Sequence, residues 1–242
     1  VMLGMPPSFP PLLDKFPSLF SHPLLDSLGI EVAARGRIDT TDAATFQPSI
    51  DAAVLEFKDA GITHVLTLGG NRVQPFFMQF AELQNYTPTY ALTSYDSPVF
   101  SIESFPASVE GALGVSVIPA YDVADDQYPF PANETEELCI SILERTGDRF
   151  PTRANARTGL QYCDAALLLQ RGAEPLTDVL DAAAWTDVVW QLGASFPLAS
   201  TYRTRFIPGS YTGADAYAVT AFDPDCSCLV LESDPLDLTR TP

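Results

Sequence analysis

The stretch HVLTLGGNRVQPFFMQFAEL, residues 64–83, carries the polar residues whose spacing most favours a binding site. An apolar strand pattern runs into a Gly-Gly pair, and Asn71 and Arg72 follow just before an amphipathic helix pattern. Glycines let the backbone turn sharply, and the first amides of a helix have no partner within the helix. This corner predicts a place that holds a carboxylate or a similar polar group. A tight strand-to-helix turn without a ligand is the alternative.

Phosphate groups do not fit this corner. LGGNRVQP has neither the G-x-x-x-x-G-K-[ST] pattern of a P-loop nor the three spaced glycines of a dinucleotide fingerprint. The formal net charge of -18 also disfavours nucleic acid as a partner, because binding to a phosphate backbone depends on clustered Lys and Arg. Solubility is a sufficient reason for the acidity, and attraction of a cationic ligand is the alternative.

Catalytic constellations find little support. The only two histidines are His22 and His64, both in apolar contexts, and His64 is predicted to be a packed strand residue. The stretch GVSVI lacks the second glycine of a G-x-S-x-G nucleophile elbow. With 31 Asp and Glu residues, any imagined pair of carboxylates is uninformative. We expect a protein that is not an enzyme and that uses no cofactor.

The four cysteines are Cys139, Cys163, Cys226 and Cys228. No further Cys or His lies near the C-x-C pair, so four zinc ligands cannot be assembled there and no metal site is expected. Cys139 and Cys163 fall on separate predicted helices. This arrangement favours disulfides Cys139–Cys163 and Cys226–Cys228 in an oxidising compartment. Four reduced thiols are the alternative.

The elements that must position the corner alternate between strands and helices. Strands are predicted at residues 1–5 and 31–37 and in ITHVLTL, TPTYALT and GALGVSVIPA; helices are predicted at residues 12–28, in TTDAATFQPSIDAAVLEFKDAG and at residues 73–84. The alternation predicts an α/β fold with a doubly wound, mostly parallel sheet. In such sheets ligands bind beyond the carboxyl ends of the strands.

The second half becomes helical after a connector rich in Pro, Asp and Tyr. Helices are predicted at residues 134–145, 155–171 and 175–192, the first with Asn133 and Glu136 as a capping box. Strands follow in TYRTRFIPG and in ADAYAVTAFDPDCSCLVLE. We expect an α/β ligand-binding lobe at residues 1–120, an added helical segment at 121–200, and C-terminal strands at 201–242 that form a β-hairpin and return to the first lobe.

The ends of the chain and its hydropathy bear on its location. No run approaches the roughly 18 apolar residues of a membrane helix, and the start VMLGMPPSFPP lacks the pattern of a signal peptide. A strand pattern at residues 1–5 without any lead-in indicates a fragment or a processed chain. Contact with a membrane is expected only through a partner or through an anchor outside this sequence.

The order of these parts resembles the second lobe of the type I periplasmic solute-binding proteins, which include the branched-chain amino-acid receptors of ABC importers. FKDAGITHVLTLGGNRVQPFFMQFAELQNYTPTYALTSYDSP resembles the helix, strand, Gly-Gly corner, helix and Tyr-x-Pro of that lobe. GLQYCDAALLLQRGAEP is similar to the family's long helix with a Tyr-Asp pair, and TRFIPGSYTGADAYAVTAFDPDCSC is similar to its closing hairpin. The resemblance spans nearly the whole chain and depends on the order of the motifs.

One departure from the family matters. Its members are two-lobed and longer, so the resemblance implies that most of the N-terminal lobe is absent here. Residues 121–200 would then pack partly on the absent lobe, and this chain alone would bind a solute poorly. A compact single-lobe descendant with its own use is the alternative.

The resemblance also implies where a solute would be contacted. The matching positions at the strand ends are Ser8, Phe9, Asn71, Ser94, Tyr95 and Asp96. Phe9 or Tyr95 would offer an apolar wall, and Asn71 and Ser94 would fix polar ends. Asp96 would pair with an ammonium group. The alternatives are Phe9 as a core residue, Asn71 as a helix cap and Asp96 as a turn residue.

The function that the resemblance implies is binding of a small polar or amino-acid-like solute without chemical change. The chain would deliver this solute to the permease of an ABC importer, with closure of lobes around it. Its location would be extracytoplasmic: periplasmic, secreted or at the cell surface. A ligand-sensing or regulatory domain on the same scaffold is the alternative.

Overall fold

The computed structural model describes residues 2–3, 32–68, 70–104, 107–176, 181–209 and 212–238. The chain divides into two compact units, Val1–Ala112 (unit 1) and Leu113–Pro242 (unit 2). The helix predicted at residues 12–28 lies outside the described residues. The division into a lobe, a helical segment and C-terminal strands at residues 120 and 200 stays a prediction. Within the described ranges no helix combines the length and the apolar character needed to cross a membrane.

Unit 1 is built from parallel strands and the helices that connect them. Its elements are β1 (Met2–Leu3), α1 (Ala43–Asp59), β2 (His64–Leu68), α2 (Gln74–Leu83), β3 (Thr89–Thr93) and α3 (Pro98–Ser104). β2 pairs in parallel with both β1 and β3, and Leu66 lies opposite Ala91. Parallel neighbours require a crossover, which α2 provides between β2 and β3.

The core of unit 1 lies between helices α1 and α2 and the strands. The helical period predicts that Ile50, Val54, Leu55 and Phe57 share one apolar stripe of α1. Ile50, Val54 and Phe57 are buried, whereas Leu55 is exposed. The ring of Phe77 on α2 lies 6.0 Å from that of Phe57 and 6.3 Å from that of Tyr90 on β3, measured between centroids. These aromatic contacts hold α2 against α1 and the sheet. Because α2 connects β2 to β3, they also help to position the ends of these two strands.

Two predictions for unit 1 are wrong. Residues 32–40 have no regular structure, although a strand was expected over residues 31–37. Instead, Gly36 packs closely against Ala53 and Phe57 of α1. His64 is exposed rather than packed, because it is the first residue of β2; its Nδ1 lies 2.9 Å from Thr63 Oγ1.

Unit 2 combines antiparallel strands with a helical segment. Its elements are β4 (Leu113–Ser116), α4 (Pro119–Asp122), α5 (Glu134–Leu143), α6 (Arg153–Ala173), α7 (Ala182–Leu192), β5 (Ala216–Asp223), β6 (Cys228–Leu231) and β7 (Leu236–Asp237). β5 pairs antiparallel with β4, β6 and β7. The α/β fold class is therefore confirmed, with its added helices and its C-terminal β5–β6 hairpin.

Both predicted disulfides are present. Cys139 of α5 is bonded to Cys163 of α6, with 5.8 Å between the Cα atoms, and Cys226 is bonded to Cys228 at the turn of the hairpin. The first bridge lies in the buried apolar cluster of unit 2, beside Leu160, whereas Cys226 is exposed. One disulfide is thus part of a core and the other part of a surface turn.

Two further predictions in unit 2 need correction. The helix expected from residue 175 begins at Ala182, because Asp181 Oδ1 accepts a hydrogen bond from the Ala184 amide at 2.8 Å and so caps the helix there. TYRTRFIPG forms no strand and makes only an isolated bridge between Thr204 and Ala214. Both strands expected in this region lie instead within ADAYAVTAFDPDCSCLVLE.

Unit 2 also buries an ion pair. Asn133 caps α5 as predicted, accepting from the Glu136 amide at 2.9 Å, but the Glu136 side chain turns inward. Its Oε1 lies 2.8 Å from Nε of Arg153, and both side chains are shielded from solvent. The guanidinium lies over the rings of Tyr128 and Phe130, 5.1 and 5.0 Å from their centroids. The planar cation thereby gains a counter-charge and two aromatic faces.

Candidate functional site

The strand-end corner consists of the two short turns that follow β2 and β3. A 3-10 turn at Gly70–Arg72 follows β2, and a 3-10 turn at Ser94–Asp96 follows β3. Because β2 and β3 are parallel neighbours, their carboxyl ends lie at the same edge of the sheet. The structure therefore brings together two segments in which the resemblance implied solute contacts.

Gly70 and Tyr95 form a close contact between these turns. Gly70 has φ of +68°, a backbone conformation that residues other than glycine rarely adopt. A Cβ atom at this position would lie only 2.8 Å from Cε1 of Tyr95. The second glycine of the Gly-Gly pair thus serves two purposes, since it permits the turn and lets the tyrosine ring lie against the backbone. Gly69 lies outside the described residues.

Asn71 and Tyr95 present their side chains at the surface of the corner. Asn71 is exposed, and 70% of Tyr95 is accessible to solvent. The alternative role of Asn71 as a helix cap does not hold, because Val73 occupies the capping position of α2 without a side-chain hydrogen bond. The corner therefore exposes an amide that donates and accepts and an aromatic ring that carries a hydroxyl.

Ser94 and Asp96 lie beneath this surface. Ser94 is only 3% exposed and Asp96 is fully buried. Oδ2 of Asp96 accepts from the Thr93 amide at 3.0 Å and from the Thr93 hydroxyl at 2.8 Å, which closes the turn after β3. The geometry favours the role of turn residue for Asp96 over direct pairing with an ammonium group.

Asp96 also reaches across to β2 and α2. Its Oδ1 accepts from the Thr67 hydroxyl at 3.1 Å. With the Gln74 amide turned so that its nitrogen faces the carboxylate, that nitrogen lies 3.2 Å from Oδ1 and 3.3 Å from Oδ2. In this orientation the Gln74 nitrogen faces only acceptor oxygens, those of Asp96 and Thr67. The buried carboxylate thus joins the end of β2, the start of α2 and the end of β3.

Burial raises the pKa of Asp96 to about 6, and the hydrogen bonds from Thr93 and Thr67 lower it in part. A charged carboxylate loses its hydration inside a protein, whereas hydrogen-bond donors restore some of that stabilisation. The side chain is therefore a buried acid that changes its charge within reach of neutral pH.

Sequence reasoning missed Thr67, Gln74 and Thr93. A signal for two of them was present, because HVLTL and TYALT are apolar strands that each carry a threonine at or next to the carboxyl end. Gln74 is a polar residue at the start of an amphipathic helix, where an exposed side chain is the ordinary expectation. Its complete burial follows only from the position of Asp96.

Ser8 and Phe9 lie outside the described residues, so their contact with a solute stays a prediction. In the part of the chain that the structure describes, no group of three His, Cys, Asp or Glu side chains is placed to hold a metal ion. What the corner offers is hydrogen bonding and aromatic contact.

No protein-family model and no curated protein matches the chain. Solved structures do match it. A branched-chain amino acid ABC transporter protein from Thermus thermophilus with bound valine has a TM-score of 0.64 and 13% identity, over 99% of this chain and 61% of that one. An extracellular ligand-binding receptor from Rhodopseudomonas palustris HaA2 has a TM-score of 0.66 and 14% identity, over 96% of this chain and 62% of that one.

A third similar structure is a type 1 periplasmic binding protein from Bordetella pertussis Tohama I, with a TM-score of 0.58 and 15% identity, over 88% of this chain and 55% of that one. This chain spans less than two thirds of the length of each of the three proteins. At these identities the likeness concerns the fold. The chain therefore has the fold of the type I periplasmic solute-binding proteins, as the order of its motifs predicted.

Proposed function

We propose that this chain is the solute-binding component of an ABC importer and that it binds a small polar or amino-acid-like solute at the strand-end corner. One observation carries the proposal: the turns that hold Asn71 and Tyr95 lie at one edge of the sheet, where the Tyr95 ring lies against Gly70. Ligands of open α/β sheets bind at this edge. The solved structure with bound valine supports the choice of an amino-acid-like solute.

The chemistry of the corner suits such a solute. An amino acid joins an apolar side chain to charged polar groups, so it needs an apolar surface next to hydrogen-bonding groups. The Tyr95 ring supplies the first and the Asn71 amide the second. Neither group has to form or break a covalent bond, so we propose binding without chemical change. Any contact made by Ser94 would require its turn to move, because its side chain is nearly covered.

We also propose an extracytoplasmic location and a permease as the partner. Disulfides form and persist in oxidising compartments, and this chain holds two of them. A cytoplasmic sensor on the same scaffold would be expected to keep its cysteines reduced. The disulfides therefore favour the importer component over the sensory alternative.

Isothermal titration calorimetry with L-valine, L-leucine and the other amino acids tests the proposal. We expect weak but saturable binding of at least one of them, because the chain spans less than two thirds of the similar solved proteins. Binding should be about tenfold weaker still after Tyr95→Ala or Asn71→Ala, a loss of about 1.4 kcal/mol. Tyr162→Ala is the matched control, because Tyr162 lies in unit 2 and is 75% exposed, much like Tyr95.

Two results would contradict the proposal. One is the absence of heat with every amino acid tested. The other is binding that Tyr95→Ala and Asn71→Ala leave unchanged, because the solute would then lie elsewhere. A change in the solute itself, detected by mass spectrometry after incubation, would indicate an enzyme.

A further inference from the structure

Asp96 makes two kinds of hydrogen bond, and they differ in what they connect. Its bonds to Thr93 stay within its own turn, whereas its bonds to Thr67 and Gln74 cross to β2 and α2. The crossing bonds flank the Gly70–Arg72 turn on both sides, because Thr67 precedes that turn and Gln74 follows it. The carboxylate therefore helps to set the position of the Gly70–Arg72 turn relative to the Ser94–Asp96 turn. These two are called the Asn71 turn and the Tyr95 turn below.

We propose that Asp96 is a positioning residue whose charged carboxylate holds the Asn71 turn against the Tyr95 turn and so makes solute binding at the corner depend on pH. The inference rests on the proposed function, since it concerns the same corner. It adds a residue that the solute does not touch and a condition that regulates the site.

The donors around the carboxylate give the physical reason. A charged carboxylate only accepts hydrogen bonds, and here it faces two hydroxyls, a backbone amide and a side-chain amide. A proton on Asp96 places a donor among these donors. The backbone amide of Thr93 cannot turn away, so the adjustable crossing groups, Thr67 and Gln74, must reorient. The crossing contacts are thus the ones that weaken.

The charge change of Asp96 falls in an accessible range, since burial raises its pKa to about 6. The charged or titratable side chains on the elements packed around it are His64 on β2, Arg72 on the turn after β2, Glu82 on α2, Tyr90 on β3, Tyr95 beside it and Glu103 on α3. The pKa of Asp96 responds to burial, Thr93 and Thr67 rather than to any of these groups. Its titration can therefore be followed as a separate event.

NMR spectra of the ¹⁵N-labelled chain between pH 4.5 and 8 test the positioning role without a solute. We expect the Gly70 and Asn71 amide signals to titrate with a midpoint near 6 in the wild type and to stay constant in Asp96→Asn. The asparagine can keep its oxygen toward Thr93 and donate from its nitrogen toward Thr67 and Gln74, so it imitates the protonated acid. His64 is retained in this variant, so a titration that survives belongs to another group.

Two further variants complete the NMR test. Asp59→Asn is the matched control, because Asp59 is exposed at the end of α1, near the start of β2 rather than its carboxyl end, and it should leave the titration unchanged. Thr67→Val removes one crossing bond and leaves Asp96 in place, so the Asn71 response should shrink. Gly70 and Asn71 signals that are insensitive to pH in the wild type, or equally sensitive in Asp96→Asn, would overturn the inference.

Calorimetry with L-valine, or with whichever amino acid binds most tightly, then tests the link to binding. We expect the affinity of the wild type to fall about tenfold from pH 7.5 to pH 5, within the range typical of coupled sites, and that of Asp96→Asn to be weak and constant. The same pH profile in both proteins would overturn the inference. If no amino acid binds at any pH, the proposed function fails while the NMR result alone decides the positioning role.

Discussion

The two units bury a carboxylate in different ways. In unit 1, Asp96 is surrounded by hydroxyl and amide donors. In unit 2, Glu136 faces the guanidinium of Arg153, which itself lies over two aromatic rings. Dipolar donors stabilise a buried charge without a full counter-charge, so desolvation can raise the pKa of Asp96 to about 6. Unit 1 thus has a corner whose hydrogen bonds can adjust, whereas unit 2 has a firmly held helical segment.

Further contacts hold the helices of unit 2 to each other and to the loop at Ala199 and Ser200. The disulfide between Cys139 and Cys163 joins α5 to α6. Asp164 on α6 accepts from the amides of Ala199 and Ser200 at 2.7 and 3.0 Å and so ties that loop to the helix. Burial raises the pKa of Asp164, while these hydrogen bonds lower it in part. Covalent, ionic and hydrogen-bonded links thus converge on α6, whereas the corner of unit 1 is joined by hydrogen bonds around Asp96.

The largest expected effect comes from breaking the ion pair of unit 2. Arg153→Met should lower the free energy of unfolding by about 3–5 kcal/mol, because it leaves Glu136 buried without its counter-charge. Chemical denaturation followed by far-UV circular dichroism measures the loss. The double variant Glu136→Met with Arg153→Met is the control and should recover part of the stability, since apolar replacements of a whole buried pair are often tolerated. A single variant as stable as the wild type would show that the pair is not needed.

The two disulfides sharpen the contrast between core and surface. Replacing Cys139 and Cys163 by serine should cost about 3.5 kcal/mol, and replacing Cys226 and Cys228 about 1.5 kcal/mol, because the second bridge closes a far shorter loop in the unfolded chain. Thermal denaturation of both double variants without reductant measures the difference. Equal losses would show that loop length does not govern the contribution of either bridge.

The stability of unit 1 should depend on pH through Asp96. Its pKa is raised by burial from 3.8 to about 6, so the folded state binds this proton more tightly than the unfolded chain does. The contribution of Asp96 to the free energy of unfolding is therefore fully present below pH 3.8 and is lost as the pH rises through 6. The loss amounts to about 3 kcal/mol.

Asp96→Asn removes this titration. Between pH 4 and pH 7 the free energy of unfolding of the variant should rise by about 2 kcal/mol relative to that of the wild type, most of the full effect. Urea denaturation at a series of pH values measures this difference, with Asp59→Asn as the control that should run parallel to the wild type. A constant difference between Asp96→Asn and the wild type would contradict a raised pKa for this acid.

Local patterns predicted much of the fold. The helices α1, α2, α5 and α6 and the strands β2 and β3 lie close to where periodicity and apolar runs placed them. Those patterns are properties of neighbouring residues, so they can be interpreted without knowledge of the rest of the chain. The strand expected in TYRTRFIPG failed because a strand needs a partner along its length, and only Thr204 and Ala214 pair there.

The sequence by itself determined the α/β class and the pairing of the four cysteines, and the resemblance of its motifs placed Asn71 and Tyr95 at the ends of neighbouring strands. Only the tertiary structure decided that Asp96 lies inside this corner rather than at its surface, and that Gly70 is the backbone against which Tyr95 packs. The physical reason is distance along the chain. Burial and hydrogen bonding of Asp96 depend on Thr67 and Gln74, which belong to other elements and reach it only after the strands have paired.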